Sequence, residues 1–305
     1  MISISNKEMR TFCLSLHAAY ACRHSGACCT ARWAIPIERH IVRELRTRRV
    51  IAEILDRTHD GPYVATRDDG ACVFFEADRG SLCTIHRVAG PDFLPSACRH
   101  FPRIVLRDPR GTFITLSGFC PTVAEMLVIP TPLRIVDAPA SLALHGTLEG
   151  LDATAVLPPL LRPGLLMDYD GYGAWERAAI AMLDRDDLSA DAALAAIRVA
   201  TADVQQWTPG DESLTTRVHT AFAGVPMNPS AMDSSHSRPV RMFMAAHLFG
   251  SWAAYQNGGL MAVVDAVRNA AAALDSELAT GASFIDAVRR TDLKLRHSRR
   301  AETIS

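Results

Sequence analysis

Eight cysteines, Cys13, Cys22, Cys28, Cys29, Cys72, Cys83, Cys98 and Cys120, all fall in the first 120 of 305 residues. Thiols confined in this way either hold a metal or staple a small domain with disulfides. Disulfides need an oxidising compartment. The stretch from Thr11 to Ala21, just ahead of Cys22, imitates an export signal, but Glu8 stands in its would-be basic region and His17 interrupts a short apolar run. The expected location is therefore cytoplasmic, where clustered cysteines serve metals or redox chemistry.

Three of the eight stand close together, in Tyr20-Ala21-Cys22-Arg23-His24-Ser25-Gly26-Ala27-Cys28-Cys29. Gly26 lets the backbone fold sharply, as several thiolates facing one ion require. Cys72 and Cys83 end short apolar runs around Asp78-Arg79-Gly80, so a hairpin there brings both sulfurs to one end. Cys98 precedes Arg99-His100-Phe101-Pro102, and Cys120 precedes Pro121, an order found in some iron–sulfur runs. The metal-ligand candidates are Cys22, Cys28, Cys29, Cys72, Cys83, Cys98 and Cys120, with Cys13 an optional eighth that could equally be a buried strand residue. His86 and His100 read as groups packing or hydrogen-bonding around the site. No Cys-x-x-Cys knuckle occurs, so the tertiary fold must gather single cysteines around a shared centre. Seven thiolates exceed the four that one zinc ion or one cubane needs, which leaves two centres, or one centre with spare thiols, both open.

Which elements would position them? Pro36 can open a helix, and Ile37, Ile41, Leu45, Ile51, Ile54 and Leu55 supply an apolar helical stripe. Tyr63–Ala65 and Cys72–Phe75 read as short strands. Arg103–Arg107 and Thr112–Ser117 flank the turn Asp108-Pro109-Arg110-Gly111 and make a hairpin. Pro130, Pro132, Pro139, Pro158, Pro159 and Pro163 mark an irregular connector. Beyond Gly173 the chain is alanine-rich, with helices expected over Trp175–Leu183, Ala190–Trp207, Glu212–Phe222, Val240–Asn257, Leu260–Leu278 and Ser283–Leu295. The class is α+β: a cysteine-rich domain over residues 1–130, a connector over 131–170 and an all-α bundle over 171–305.

At 49% hydrophobic and 21% charged residues the chain can bury a core. With 32 basic against 33 acidic residues, a net charge of -1, it carries no global field that would draw it to nucleic acid or an anionic membrane. No run approaches the roughly 18 apolar residues of a membrane helix.

The order Cys-x-x-x-Gly-x-Cys-Cys, then single cysteines, then Cys-Arg-x-Phe-Pro, resembles the YkgJ-type cysteine-cluster family, also called CxxCxxCC proteins, which are described as chelating zinc or iron. Trp33 with Ile35-Pro36-Ile37 resembles an element of its flagellin lysine N-methylase branch. So do Gly90-Pro91-Asp92-Phe93-Leu94-Pro95 leading to Cys98-Arg99-His100-Phe101-Pro102-Arg103, and Leu116-Ser117-Gly118-Phe119-Cys120-Pro121 with Ala124-Glu125-Met126-Leu127. The resemblance covers roughly residues 12 to 130. It departs at Ser25, where the family has a second cysteine; His24 can ligate instead, Cys13 can fold back, or one position can stay open to an exogenous ligand.

The methylase branch implies an iron–sulfur cluster, of the 4Fe-4S type, with zinc the other reading. It also implies S-adenosylmethionine and a protein lysine as substrate. Neither a glycine-rich turn after a first strand nor Cys-x-x-x-Cys-x-x-Cys occurs, so that cofactor would have to meet the chain in an unfamiliar way. The competing function is non-catalytic: a structural or redox-sensing centre whose helical half docks a partner protein through Trp207, Phe249, Trp252 and Tyr255. A third is metal storage or delivery.

Overall fold

The computed structural model describes residues 9–48, 50, 54–58, 61–78, 80, 82–144, 150–225 and 237–297. Its front part runs β1 (Thr11–Leu14), α1 (Arg39–Thr47), β2 (Ile54–Thr58), β3 (Gly61–Val64), β4 (Phe75–Glu76), β5 (Leu82–Cys83), α2 (Thr84–Ala89), α3 (Ser96–His100), β6 (Arg103–Asp108), β7 (Gly111–Leu116) and α4 (Pro121–Met126). There follow β8 (Ile135–Asp137), β9 (Leu151–Asp152), β10 (Leu160–Arg162), β11 (Leu165–Leu166), α5 (Tyr169–Leu183) and α6 (Ala190–Val204). The chain continues through α7 (Leu214–Ala223), α8 (Ser237–Leu248), α9 (Gly259–Leu278) and α10 (Phe284–Asp292). Small sheets in front and helices behind make the mixed class expected of the sequence. Among the described residues no helix is long and apolar enough to cross a membrane.

The hairpin at Asp108–Gly111 forms and becomes the middle of a five-stranded sheet ordered β8-β1-β7-β6-β9. β1 runs parallel to β7, and β8 lies antiparallel on β1. The proline-rich stretch thus supplies both edges of the front sheet, β8 and β9, where irregular chain was expected. Successive residues on a strand face opposite sides. Leu106 and Phe113 accordingly pack with Trp175 and Phe249 of the helical half, while Val105 and Ile114 pack with Cys13, Val123 and Leu142 on the other face. A separate small core, Ile35, Ile37, Ile41, Leu45, Phe74, Phe75 and Ile85, underlies the cysteine loops.

Two expectations need correction. The helix after Pro36 stops at Thr47: the Val50 amide bonds back to the Leu45 carbonyl, and Ile54 and Leu55 pair with Val64 and Tyr63 as β2 and β3. Ile51 lies outside the described residues. The helix expected over Val240–Asn257 ends at Leu248, because Gly250 takes a left-handed φ of 59° and only Trp252–Tyr255 recovers a short 3-10 turn. The Gly250 amide instead donates to Glu176 Oε1 at 2.9 Å.

That carboxylate belongs to a buried network. Arg110, in the hairpin turn, reaches Asp108 Oδ2 at 2.7 Å and Glu176 Oε2 at 3.0 Å, and the two carboxylate side chains are 0% and 2% exposed. The Tyr255 hydroxyl donates to Asp108 at 2.7 Å, and the guanidinium lies 4.3 Å from the Phe113 ring centroid and 4.2 Å from that of Tyr172.

A second buried network joins the front sheet to the last helix. Asp292 accepts from Ser117 Oγ at 2.5 Å, and its other oxygen lies 2.9 Å from Arg296 Nε and 3.2 Å from His247 Nε2. His17, fully buried, lies within the field of the same Arg296 and Asp292. Burial, and then Arg296, push the His17 imidazole down to about 3 and that of His247 to about 4, although Asp292 pulls both the other way. Both therefore stay neutral in the folded chain at pH values where the unfolded chain, with an imidazole pKa near 6.5, takes up protons. Each histidine should cost about 1.4 kcal/mol of stability per unit as pH falls below 6.5, until its folded value is reached. Urea unfolding followed between pH 7 and 5 should show this slope, and His247→Gln should flatten it; equal slopes in the two proteins would contradict the assignment.

Candidate metal centre

Gly26, at a φ of 73°, turns the chain into a 3-10 helix over Ala27–Thr30, and this sets two adjacent thiols side by side. Cys28 Sγ and Cys29 Sγ lie 3.9 Å apart. Two thiolates bound ~2.3 Å from one tetrahedral ion stand ~3.8 Å apart, so this pair already has the spacing of two ligands. The Cys72 amide donates to the Cys29 carbonyl at 2.8 Å, which ties the next cysteine to the pair. Phe75 pairs with Cys83 in the β4–β5 hairpin, whereas Cys72, expected on the same strand as Phe75, precedes it and bridges Thr66. Cys28, Cys29, Cys72 and Cys83 lie within electrostatic range of one another. Cys98, in α3, packs on the small core that these cysteines cap.

Cys22 and Cys120 form a second group. The Tyr20 hydroxyl sits 4.0 Å from Cys120 Sγ, and both Tyr20 and Cys120 feel Cys22. His24 Nδ1 lies 3.8 Å from Cys22 Sγ, and the His24 amide donates to the same sulfur at 3.4 Å. His24 adopts a left-handed φ of 53°, which a non-glycine residue rarely takes. Its ring centroid is 5.8 Å from that of His86, which follows Cys83, so the two imidazoles span the gap between the groups. Ser25 turns away from this contact, its Oγ accepting from the Ala27 amide. Cys13 lies in the middle of β1, fully buried against Ile114 and Val136, where it serves the core of the sheet.

Electrostatics divides the thiols. Cys28 is pushed down to about 7 by the hydrogen bond from Cys29, against burial, and Cys29 is raised in return. Burial pushes Cys72 up to about 11 despite the Phe74 amide. Cys83 and Cys120 are also raised by burial, which is offset in part by the nearby amides at the start of the helix that each precedes: Ile85 and His86 for Cys83, Val123 and Thr122 for Cys120. A helix start favours a thiolate. All eight cysteines are free of disulfides.

Among the described residues no three His, Cys, Asp or Glu side chains converge as the ligand set of one ion. The donors fit a thiophilic metal in type, and the Cys28–Cys29 pair fits in spacing. A small cleft of about 10 Å³, room for a single water, opens against Cys29 and Cys72, lined also by Trp33, Thr66 and Gly70.

Tyr20 and the aromatic trio Trp33, Phe101 and Phe119 escaped the sequence reading as site residues. Trp33 lies 5.3 Å from Phe101 and 5.4 Å from Phe119, centroid to centroid. The signal was available, since each stands within four residues of a cysteine. Of the residues considered for docking, Phe249 is core and Tyr255 is tied to Asp108, while Trp252 stays 39% exposed.

Residues 21–121 match the model of the CxxCxxCC family, whose description is "Putative zinc- or iron-chelating domain". The match takes in seven of the eight cysteines and about a third of the chain. No curated protein and no solved structure matches the chain. The front of the protein is thus similar to a cysteine-based metal-chelating domain.

Proposed function

We propose that the chain is a metal-binding protein in which Cys22, Cys28, Cys29, Cys72, Cys83, Cys98 and Cys120 supply the ligands. The observation that carries this is the Cys28–Cys29 pair, with its sulfurs 3.9 Å apart and Cys72 and Cys83 beside it. The pair, Cys72 and Cys83 make one centre, with Cys98 packed on the same small core as its reserve ligand; Cys22 and Cys120, with His24 in the place the Ser25 departure left open, make the second. An iron–sulfur cluster is the preferred occupant and zinc the alternative, and both suit a reducing, cytoplasmic setting. Binding energy at such a site is largely folding energy for the loops around it.

The finer reading, methyl transfer from S-adenosylmethionine to a protein lysine, rests on the likeness of residues 12 to 130 to the flagellin lysine N-methylase branch.

Anaerobic purification, with iron, sulfide and zinc quantified beside a visible spectrum, tests the proposal. Brown protein with iron matched by sulfide supports the cluster and justifies titration with S-adenosylmethionine. Colourless protein with stoichiometric zinc makes the centre structural. Protein that takes up neither metal under anaerobic loading overturns the proposal.

A further inference from the structure

The three aromatic rings near the cysteines meet at Phe119. Trp33 comes from the segment after Cys28 and Cys29, Phe101 from the segment after Cys98, and Phe119 directly precedes Cys120. Their hub therefore ties together three of the cysteine segments. The Ser117 amide ties the start of this turn to the Pro102 carbonyl at 2.7 Å, and the last helix grips it from the rear half of the chain. The Ser117 hydroxyl donates to Asp292 Oδ2 at 2.5 Å, and the Phe119 amide reaches the same oxygen at 3.4 Å. One turn earlier in α10, Arg289 Nε donates to the Phe119 carbonyl at 3.3 Å, with its guanidinium 5.7 Å from the Phe119 ring centroid. Gly118 lets the turn lie flat on the helix, because a Cβ there would come 2.7 Å from Val288 Cγ1. Asp292 is itself fixed by Arg296 and His247 and is 1% exposed. The next residue after the clamped turn is Cys120, at the N-cap of α4.

We propose that Asp292 is the positioning residue of Cys120: the last helix clamps the Ser117–Phe119 turn and so holds this thiol, and through Phe119 the aromatic hub, in register with the other cysteines. The metal consequence rests on the function proposed above, but the clamp itself is readable without metal. Coupling between two sites is reciprocal. Metal held at Cys120 therefore steadies the docking of α10, and anything that lifts α10 loosens Cys120.

The test uses the full chain and the variants Asp292→Asn, Ser117→Ala and, as a control on the exposed face of the same helix, Arg290→Gln. Metal-free protein is exposed to N-ethylmaleimide, and labelling is mapped by mass spectrometry at Cys120 and at Cys13, the fully buried sheet thiol that reports general unfolding. Asp292→Asn should speed labelling of Cys120 by about tenfold or more with Cys13 unchanged, because a local opening is being released and not the whole fold. Ser117→Ala should do so to a smaller extent, and Arg290→Gln not at all. If Asp292→Asn exposes Cys13 as well, Ser117→Ala decides. Cys120 and Cys13 rising together there, or Cys120 unmoved in both variants, overturns the clamp. In the metal-loaded protein, Asp292→Asn should lose metal to a chromogenic chelator faster than wild type by a similar factor. Wild-type protein that takes up no metal sinks the metal reading alone, since the labelling result is independent of it.

Discussion

Serine at both Cys28 and Cys29 abolishes metal retention, whereas alanine at Cys13 leaves it unchanged. Both follow from position. The adjacent thiols sit at ligand spacing on a turn that Gly26 makes, while Cys13 is locked in the sheet between Ile114 and Val136. A structural site of four ligands is worth ~10–16 kcal/mol, so losing two thiolates takes roughly half of that and weakens binding by more than about a thousandfold. Metal analysis of the purified variants checks this directly. Stoichiometric metal in Cys28→Ser/Cys29→Ser protein would remove the pair from the ligand set. Metal lost in Cys13→Ala protein would bring the sheet cysteine back into it.

Alanine at Arg110 destabilises the chain by about 3–5 kcal/mol, the cost of leaving buried charge without its partner. Two carboxylates share this guanidinium, and neither has water to turn to, with side chains 0% and 2% exposed. Tyr255 and the backbone amide of residue 110 still satisfy both oxygens of Asp108, and the Gly250 amide one of Glu176, but they carry no compensating charge. Urea denaturation of Arg110→Ala against wild type gives the number. A loss below about 1 kcal/mol would mean the carboxylates are wetter than their surroundings indicate, since exposed ion pairs contribute only that much. The same residue explains why the hairpin turn is more than a reversal of chain: it inserts a cation into the helical half, against Phe113 and Tyr172.

Local chemistry was legible in the sequence, and long-range pairing was not. The turn at Asp108–Gly111 and the β4–β5 hairpin ending at Cys83 are announced by neighbouring residues, and both form. Helix ends marked by glycine were read well where the glycine follows an apolar run. They were missed at Gly250, whose left-handed turn interrupts a segment of high helix propensity because Glu176 captures its amide. Residues with strand preference beyond Thr47 were absorbed into a helical stripe, since Ile54 and Leu55 fit either period until Tyr63 and Val64 are known to face them. The parallel pairing of β1 with β7 joins Thr11 to Thr112 and leaves no local trace. Least legible of all was the clamp on Cys120. Ser117 and Asp292 are 175 positions apart, and neither stands in a pattern that names the other.

The two edges of the front sheet, β8 and β9, and the helix that grips Ser117 are all encoded after the last cysteine. At ~5–20 residues per second, a ribosome extends the chain from Cys120 to Asp292 in roughly ten to thirty seconds. Throughout that interval every thiol has been made, but the grip that holds Cys120 in place has not. Nascent chains at this stage present bare cysteines to any oxidant or stray metal. Under the proposed metal binding, a centre that includes Cys120 is complete only once Asp292 has been made, and its assembly should depend on how well the young thiols are shielded until then.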